Sequence, residues 1–367
     1  MSLNTKLRVG ITHGDINGIG YEVILKTLED NRLLELCTPV IYGSAKVAAF
    51  YRKAMNLPPV NFQTVSKPTG NSDERIQIIN VIPEDTKIEP GQSTRTAGEA
   101  AFAALEQATA DLVQGNIDVL VTSPINKQNI HSDTFTFPGH TEYLESSVGN
   151  GNKALMILCN DRMRVALATT HLPVSKISEI LTPELILQKL ELFAQSLKRD
   201  FRIHAPRIAV LALNPHAGDN GLMGSEEADI IKPAIDEAQN RKILAFGPYS
   251  ADGFFGSGAW ATFDGILAMY HDQGLAPFKL LAMDEGVNVT AGLPFVRTSP
   301  DHGTAYDIAA RGLANPNSMR QAIYTAIDIY RNRLRYDEAH RNPLKKQFVE
   351  RRKDDVKLDL TKEEEDN

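Results

Sequence analysis

The chain has 367 residues, 42% of them hydrophobic, which is enough to bury one large core or two ordinary ones. A formal charge of −7 with no basic patch outside the C-terminus excludes a general attraction to nucleic acid or acidic membrane. No apolar run approaches the roughly 20 residues that span a bilayer, the opening "MSLNTKLRVGIT" lacks a signal core, and Cys37 and Cys159 read as small core residues, so a soluble cytoplasmic protein is expected.

Short β-rich runs alternate with helical patterns from the start. "LRVGIT" reads as a strand, followed by a helix near Tyr21 to Asn31, strand "PVIYG" and a helix from Ser44 to Met55. That rhythm predicts an α/β fold with a largely parallel sheet. Next, "TRTAGEAAFAALEQATADLVQG" is helical and ends at Gly115, which can take the left-handed conformation that stops helices. Strand "IDVLVTSP" follows. Further strands are expected in "KALMILCN", "MRVALATTH" and "RIAVLALNP", with helices in "TPELILQKLELFAQSLKRDF" and "EEADIIKPAIDEAQ". "ILAFGPYSADGFF" and "GILAMYHDQG" read as strands running into loops, and "MRQAIYTAIDIYRNRLR" closes the fold. Residues 346–367 form a charged tail, either solvated or leaning on a partner.

Three strand-like runs each finish on an imidazole: His171, His216 and His271. Sites in open α/β sheets collect at the carboxyl ends of strands, and three neutral imidazoles can hold a divalent metal while leaving positions open. Zinc, cobalt, manganese, nickel and magnesium all stay open as its identity. One such histidine alone is more often a hydrogen-bonded loop residue; three equivalent ones favour the metal. Asp252, Asp272 and Lys279 lie nearby in sequence as candidate proton acceptors, the alternative for the aspartates being ordinary turn and capping roles. "FPGHTEYLE" puts His140 and Thr141 at a helix start suited to an anion, or to simple capping by Thr141. Asn288 and Arg297 are further candidates for an anionic substrate, and Lys127 in "TSPINK" is another or a plain surface lysine. The turn "GITHGDINGIGYE" is neither a dinucleotide fingerprint nor a Walker loop; its glycines serve an anion or a tight turn.

Taken together, "GITHGDINGIG", "TSPINK", "GHTEYL", "LNPHAGDNGLMGSEE", "GPYSADGFF", "YHDQGLAPFK" and "NVTAGLPFVRTSPDHGTAYDIA" resemble the 4-hydroxythreonine-4-phosphate dehydrogenase family from about Gly10 to Arg320. The resemblance implies the two-domain α/β fold of isocitrate and isopropylmalate dehydrogenases, with largely parallel sheets and a central cleft. Residues 1–130 with 276–345 would form one domain and 131–275 the other, which carries the metal histidines and the dimer interface. It implies a homodimer with the site at the subunit interface, a divalent metal on His171, His216 and His271, and substrate contacts at His140, Thr141, Lys279, Asn288 and Arg297. The family reaction oxidises 4-phosphooxy-L-threonine at C3 with NAD or NADP, then releases CO2 to give 3-amino-2-oxopropyl phosphate on the way to pyridoxal 5'-phosphate. By likeness to the isopropylmalate relatives, cofactor contacts fall at Asp301, His302, Gly303, Thr304 and Asp307. Where the family usually reads "GDPAGIGPE", this chain has Ile16, Asn17 and Tyr21 in place of Pro, Ala and Pro. Rival activities are a 4-phospho-D-threonate or 4-phospho-D-erythronate dehydrogenase, a metal-dependent phosphatase or aldolase, and a binding protein without catalysis.

Overall fold

The computed structural model describes residues 6–70 and 75–343. The charged tail expected at 346–367 lies outside the described residues. Twelve described strands make one sheet: β1 (Leu7–Thr12), β2 (Cys37–Gly43), β3 (Phe62–Thr64), β4 (Ile76–Asn80), β5 (Val119–Thr122), β6 (Leu155–Cys159), β7 (Arg164–Leu167), β8 (Arg207–Leu211), β9 (Leu244–Tyr249), β10 (Gly265–Ala268), β11 (Val287–Ala291) and β12 (Arg297–Pro300). Their order is β3-β4-β2-β1-β5-β12-β11-β6-β7-β10-β8-β9. The six from β3 to β12 run parallel, as do the four from β7 to β9. Between them, β11 pairs antiparallel with both β12 and β6, and β6 antiparallel with β7. The largely parallel α/β sheet is thus present, with a reversal at its middle.

The helices begin where local chemistry starts them. Ser44 accepts from the Val47 amide at 3.4 Å to open Ala45–Ala54, and Thr94 accepts from Ala97 at 3.2 Å to open Arg95–Val113. Gly115 follows in the left-handed conformation, φ +71°. Two loop expectations give way to helix. His271 opens the helix His271–Ala282 directly after β10, and Ala251–Gly256 is helical after β9. In both, polar first-turn residues look loop-like in sequence, yet the turn is completed by packing of Leu275, Phe278 and Phe254, all buried.

The middle of the sheet has two unlike faces. Val287, Val289 and Ala291 alternate toward the helix Asn317–His340, whose Met319, Ala322, Ile323, Ala326 and Ile327 recur at helical spacing and are buried with them. Thr298 Oγ1 donates to the Ala322 carbonyl at 2.7 Å, fastening β12 to that helix. Each fully buried Val, Ile or Met side chain here contributes about 1.5–3 kcal/mol. Register puts Met156 and Leu158, Asn288 and Thr290, and Arg297 and Ser299 on the opposite face.

The first turn is closed by protein. A Cβ at Gly18 would lie 2.7 Å from the Thr304 carbonyl oxygen, so close backbone approach explains this glycine without a ligand. The Asn17 amide group donates to Gln92 O and Thr94 Oγ1 and accepts from the Glu89 amide. The Tyr51 hydroxyl donates to Ile16 O at 2.6 Å, and Tyr21 stacks between His13 and Tyr51. The three departures from the family pattern therefore sit in a turn fixed by side-chain bonds.

Candidate active site

A cavity of about 240 Å³ lies over the second face of the central strands. Its floor is Met156 and Leu158 of β6, Asn288 of β11, and Arg297 and Ser299 of β12. Thr122 and Ser123 enter from the end of β5, Lys127 from the loop beyond, and His140, Thr141 and Glu142 from the start of the helix His140–Val148. His171 comes from the loop after β7, His271 and Lys279 from the helix after β10, and Asp301 to Gly303 from the loop after β12. Both parallel sets of strands thus contribute.

Arg297 dominates the electrostatics. It is 4% exposed, forms no ion pair among the described residues, and donates only to hydroxyls: Thr122 Oγ1 at 2.5 and 3.1 Å and Thr290 Oγ1 at 3.1 Å. Burial lowers its pKa to about 10, against the opposing pull of Glu142, so the guanidinium stays charged at neutral pH. A buried cation lacking an anion costs stability unless one arrives. Lys127 and Lys279 also line the cavity, against Glu142 and Asp301, so a chain of charge −7 presents a locally cationic cleft.

Unused hydrogen-bonding groups belong to residues that line the same space. His140 Nε2, Asn288 Oδ1 and His302 Nε2 are buried without partners. Burial, reinforced by Arg297 and Lys127, holds His140 neutral with a pKa well below the ordinary value; burial lowers that of His302 as well. The helix His140–Val148 starts at Gly139 with no side-chain cap, so Thr141 does not close it. Lys279 Nζ lies 3.4 Å from Asp301, whose carboxyl is raised by burial and drawn back by that lysine.

The histidines divide. His171 and His271 face each other with ring centroids 5.9 Å apart. His171 Nε2 is 2.8 Å from Lys127 Nζ and its Nδ1 is 3.6 Å from Glu142, whose carboxyl His171 holds below the usual range. His271 Nδ1 lies 2.7 Å from Asp272. His216 stands elsewhere, in an exposed segment of left-handed residues, and acts on Asp252. Among the described residues, no group of three or more His, Cys, Asp or Glu side chains is poised to hold a metal ion. The chemistry of the pair still suits a borderline divalent cation: two imidazoles, each with a carboxylate beside Nδ1.

Of the three candidate proton acceptors, only Lys279 lines the cavity. Asp272 turns outward with its side chain 85% exposed, and Asp252 is exposed, bonded by the Ser250 hydroxyl at 2.6 Å. In the cofactor segment Asp301, His302 and Gly303 line the cavity, whereas Thr304 instead gives its carbonyl to the Ile19 amide and Asp307 is exposed. Sequence reasoning missed Thr290 and Ser299, although the period-two pattern of "NVT" and "RTS" would have put them on the face of Asn288 and Arg297.

The family model described as pyridoxal phosphate biosynthetic protein PdxA matches residues 35–326. The chain belongs to the PdxA family. A 4-hydroxythreonine-4-phosphate dehydrogenase of Bacteroides thetaiotaomicron is 58% identical across 98% of this chain and 99% of its own length. The enzyme of the same name from Prosthecochloris aestuarii is 39% identical over 88% of this chain and 97% of its own. Among solved structures, the 4-hydroxythreonine-4-phosphate dehydrogenase of Klebsiella pneumoniae superposes with a TM-score of 0.78 at 34% identity, covering 90% of this chain and 100% of that one. The α/β architecture expected from sequence is therefore that of solved PdxA structures. As a PdxA-family dehydrogenase, the protein is an oxidoreductase that uses a nicotinamide-type cofactor. Among the described residues no helix is long and apolar enough to cross a membrane.

Proposed function

We propose that this protein oxidises 4-phosphooxy-L-threonine at C3 with NAD or NADP and releases 3-amino-2-oxopropyl phosphate and CO2, a step of pyridoxal 5'-phosphate synthesis. The observation that carries the reading is the buried Arg297 guanidinium, held by hydroxyls alone at the floor of a cationic cleft. It receives the substrate phosphate, joined by His140, Thr141 and Asn288, which line the same cavity at and beside an uncapped helix start. Lys279, after passing its own proton to Asp301 at 3.4 Å, takes the hydroxyl proton as hydride leaves C3 for the nicotinamide. The bond to the carboxylate then breaks, its electron pair passing into the new ketone as CO2 departs, and the resulting enolate takes a proton at C2, which the Lys279 ammonium can return, to give the product ketone. A divalent cation on His171 and His271 would supply Lewis-acid stabilisation of the developing negative oxygen, and His216, which stands away from that pair within one chain, could join it only from a second copy. Asp301 to Gly303 approach the cofactor, with Thr304 and Asp307 behind them.

A homodimer fits this reading. Leu280, Leu281 and Met283 are 87%, 53% and 59% exposed on the helix that carries His271 and Lys279 and just past its end. A second copy covering them would complete the cleft between the domain made by residues 1–130 with 276–345 and that made by 131–275.

The test is turnover of 4-phosphooxy-L-threonine with NAD or NADP and added zinc, cobalt or magnesium, measuring reduced nicotinamide, CO2 and inorganic phosphate together. Equal yields of reduced nicotinamide and CO2 with phosphate retained are expected. Faster oxidation of the C2-hydroxy analogues would transfer the activity to phospho-threonate or phospho-erythronate. Substrate loss without reduced nicotinamide would point to a phosphatase or aldolase and overturn the proposal.

A further inference from the structure

Both paired histidines have a carboxylate on the Nδ1 side. A neutral imidazole has one N–H and one lone pair, a carboxylate only accepts, and an ammonium only donates. At His271 the Asp272 carboxylate at 2.7 Å places the proton on Nδ1 and leaves the lone pair on Nε2. At His171 the Lys127 ammonium at 2.8 Å requires the lone pair on Nε2, so Nδ1 carries the proton on the side of Glu142, 3.6 Å away. The ring centroids stand 5.9 Å apart, and a lysine sits on one of the two Nε2 lone pairs.

We propose that Lys127 is a place-holder, its ammonium occupying His171 Nε2 until a divalent cation displaces it, while Glu142 and Asp272 are positioning residues that fix the two tautomers. This rests on the metal-dependent reading above. A cation bound to imidazole sits about 2.0–2.1 Å from the nitrogen, so the ammonium and the metal cannot share that lone pair. Lys127 already lines the cavity that holds Arg297, so its displaced charge remains available to an anionic substrate. Lys127 and Glu142 then act on metal affinity with opposite signs.

The experiment is zinc affinity of the chelator-stripped full chain, by competition with a chromogenic chelator, alongside nitrogen-15 shifts of the His171 ring without metal. Lys127→Met should bind zinc several-fold more tightly than the natural chain, while Lys127→Arg keeps a competing cation and gains less. Glu142→Ala should bind about 10-fold more weakly, with Glu142→Gln, still an acceptor, restoring most of the loss. Thermal melting establishes that each variant is folded, and the metal-free ring shifts should report the Nδ1–H tautomer. Zinc binding by the natural chain with no gain in Lys127→Met overturns the place-holder alone. A metal-free ring protonated on Nε2 overturns both the place-holder and the tautomer assignment. No zinc binding in any variant overturns the metal-dependent reading and this inference with it.

Discussion

The two faces of β6, β11 and β12 share a backbone and differ in almost everything else. On one, Ile157, Val287, Val289 and Ala291 are packed against the helix Asn317–His340 and no more than 1% exposed. On the other, the Asn288 Oδ1 atom and the Arg297 side chain are buried with bonding capacity left over. The first face yields stability from contacts already made; the second gives up stability for contacts that only a ligand can complete. Orphaned atoms alone do not mark such a site. His13, stacked on Tyr21 at 5.4 Å, is also buried with both ring nitrogens unpartnered, but it lies in the closed first turn and does not line the cleft.

The contrast can be broken most sharply at Arg297. Replacing it with Met should lower kcat/KM by about 1,000-fold, the scale of losing a buried charged contact, yet leave the melting temperature unchanged or higher because an uncompensated buried charge is gone. A large loss of stability would instead make Arg297 part of the scaffold. Ile157→Ala probes the packed face with the opposite signature: unfolding free energy falls by about 2–5 kcal/mol, while kcat/KM of the folded protein changes by no more than about twofold. Denaturant titration and steady-state kinetics on the same preparation separate the two.

His13 sharpens the case of an orphan outside the cleft. Burial lowers its pKa from 6.5 to about 4, so the folded chain favours the neutral ring. The associated stability is present above pH 6.5 and is lost as pH falls from 6.5 through about 4, about 3 kcal/mol in all. His13→Phe should remove that part of the acid limb in a pH series of melting curves; an unchanged limb would mean that His13 is not responsible. The smallest effect is expected at Asn288. Its truncation to Ala should cost about 1–3 kcal/mol of transition-state binding, seen as roughly a 10- to 100-fold drop in kcat/KM.

Much of this was legible in sequence because apolar alternation and helical spacing are local. The helix starts at Ser44 and Thr94, the strands "RVALATTH" and "RIAVLALNP", and the gathering of His140, Lys279, Asn288 and Arg297 about one cavity all follow from such patterns and the family resemblance. Strand direction is different. Nothing in the periodicity of "VNVTA" says that β11 runs against both neighbours, because alternation is the same in either sense. Side-chain direction at helix starts was equally hidden. Asp272 is adjacent to His271 in sequence and could face the cleft or solvent, and only the turn of the helix sends it outward to hold Nδ1. His216 shares the post-strand position of His171 and His271, yet a run of left-handed backbone carries it away from that pair.

If Arg297 receives the substrate phosphate as proposed, a double-mutant cycle with substrate chemistry as the second change shows it most directly. Binding of 4-phosphooxy-L-threonine and of its unphosphorylated counterpart would be measured by calorimetry in the natural chain and in Arg297→Met. The natural chain should prefer the phosphorylated ligand by about 100-fold or more, and the variant should lose most of that preference. An equal preference in both proteins would contradict the account.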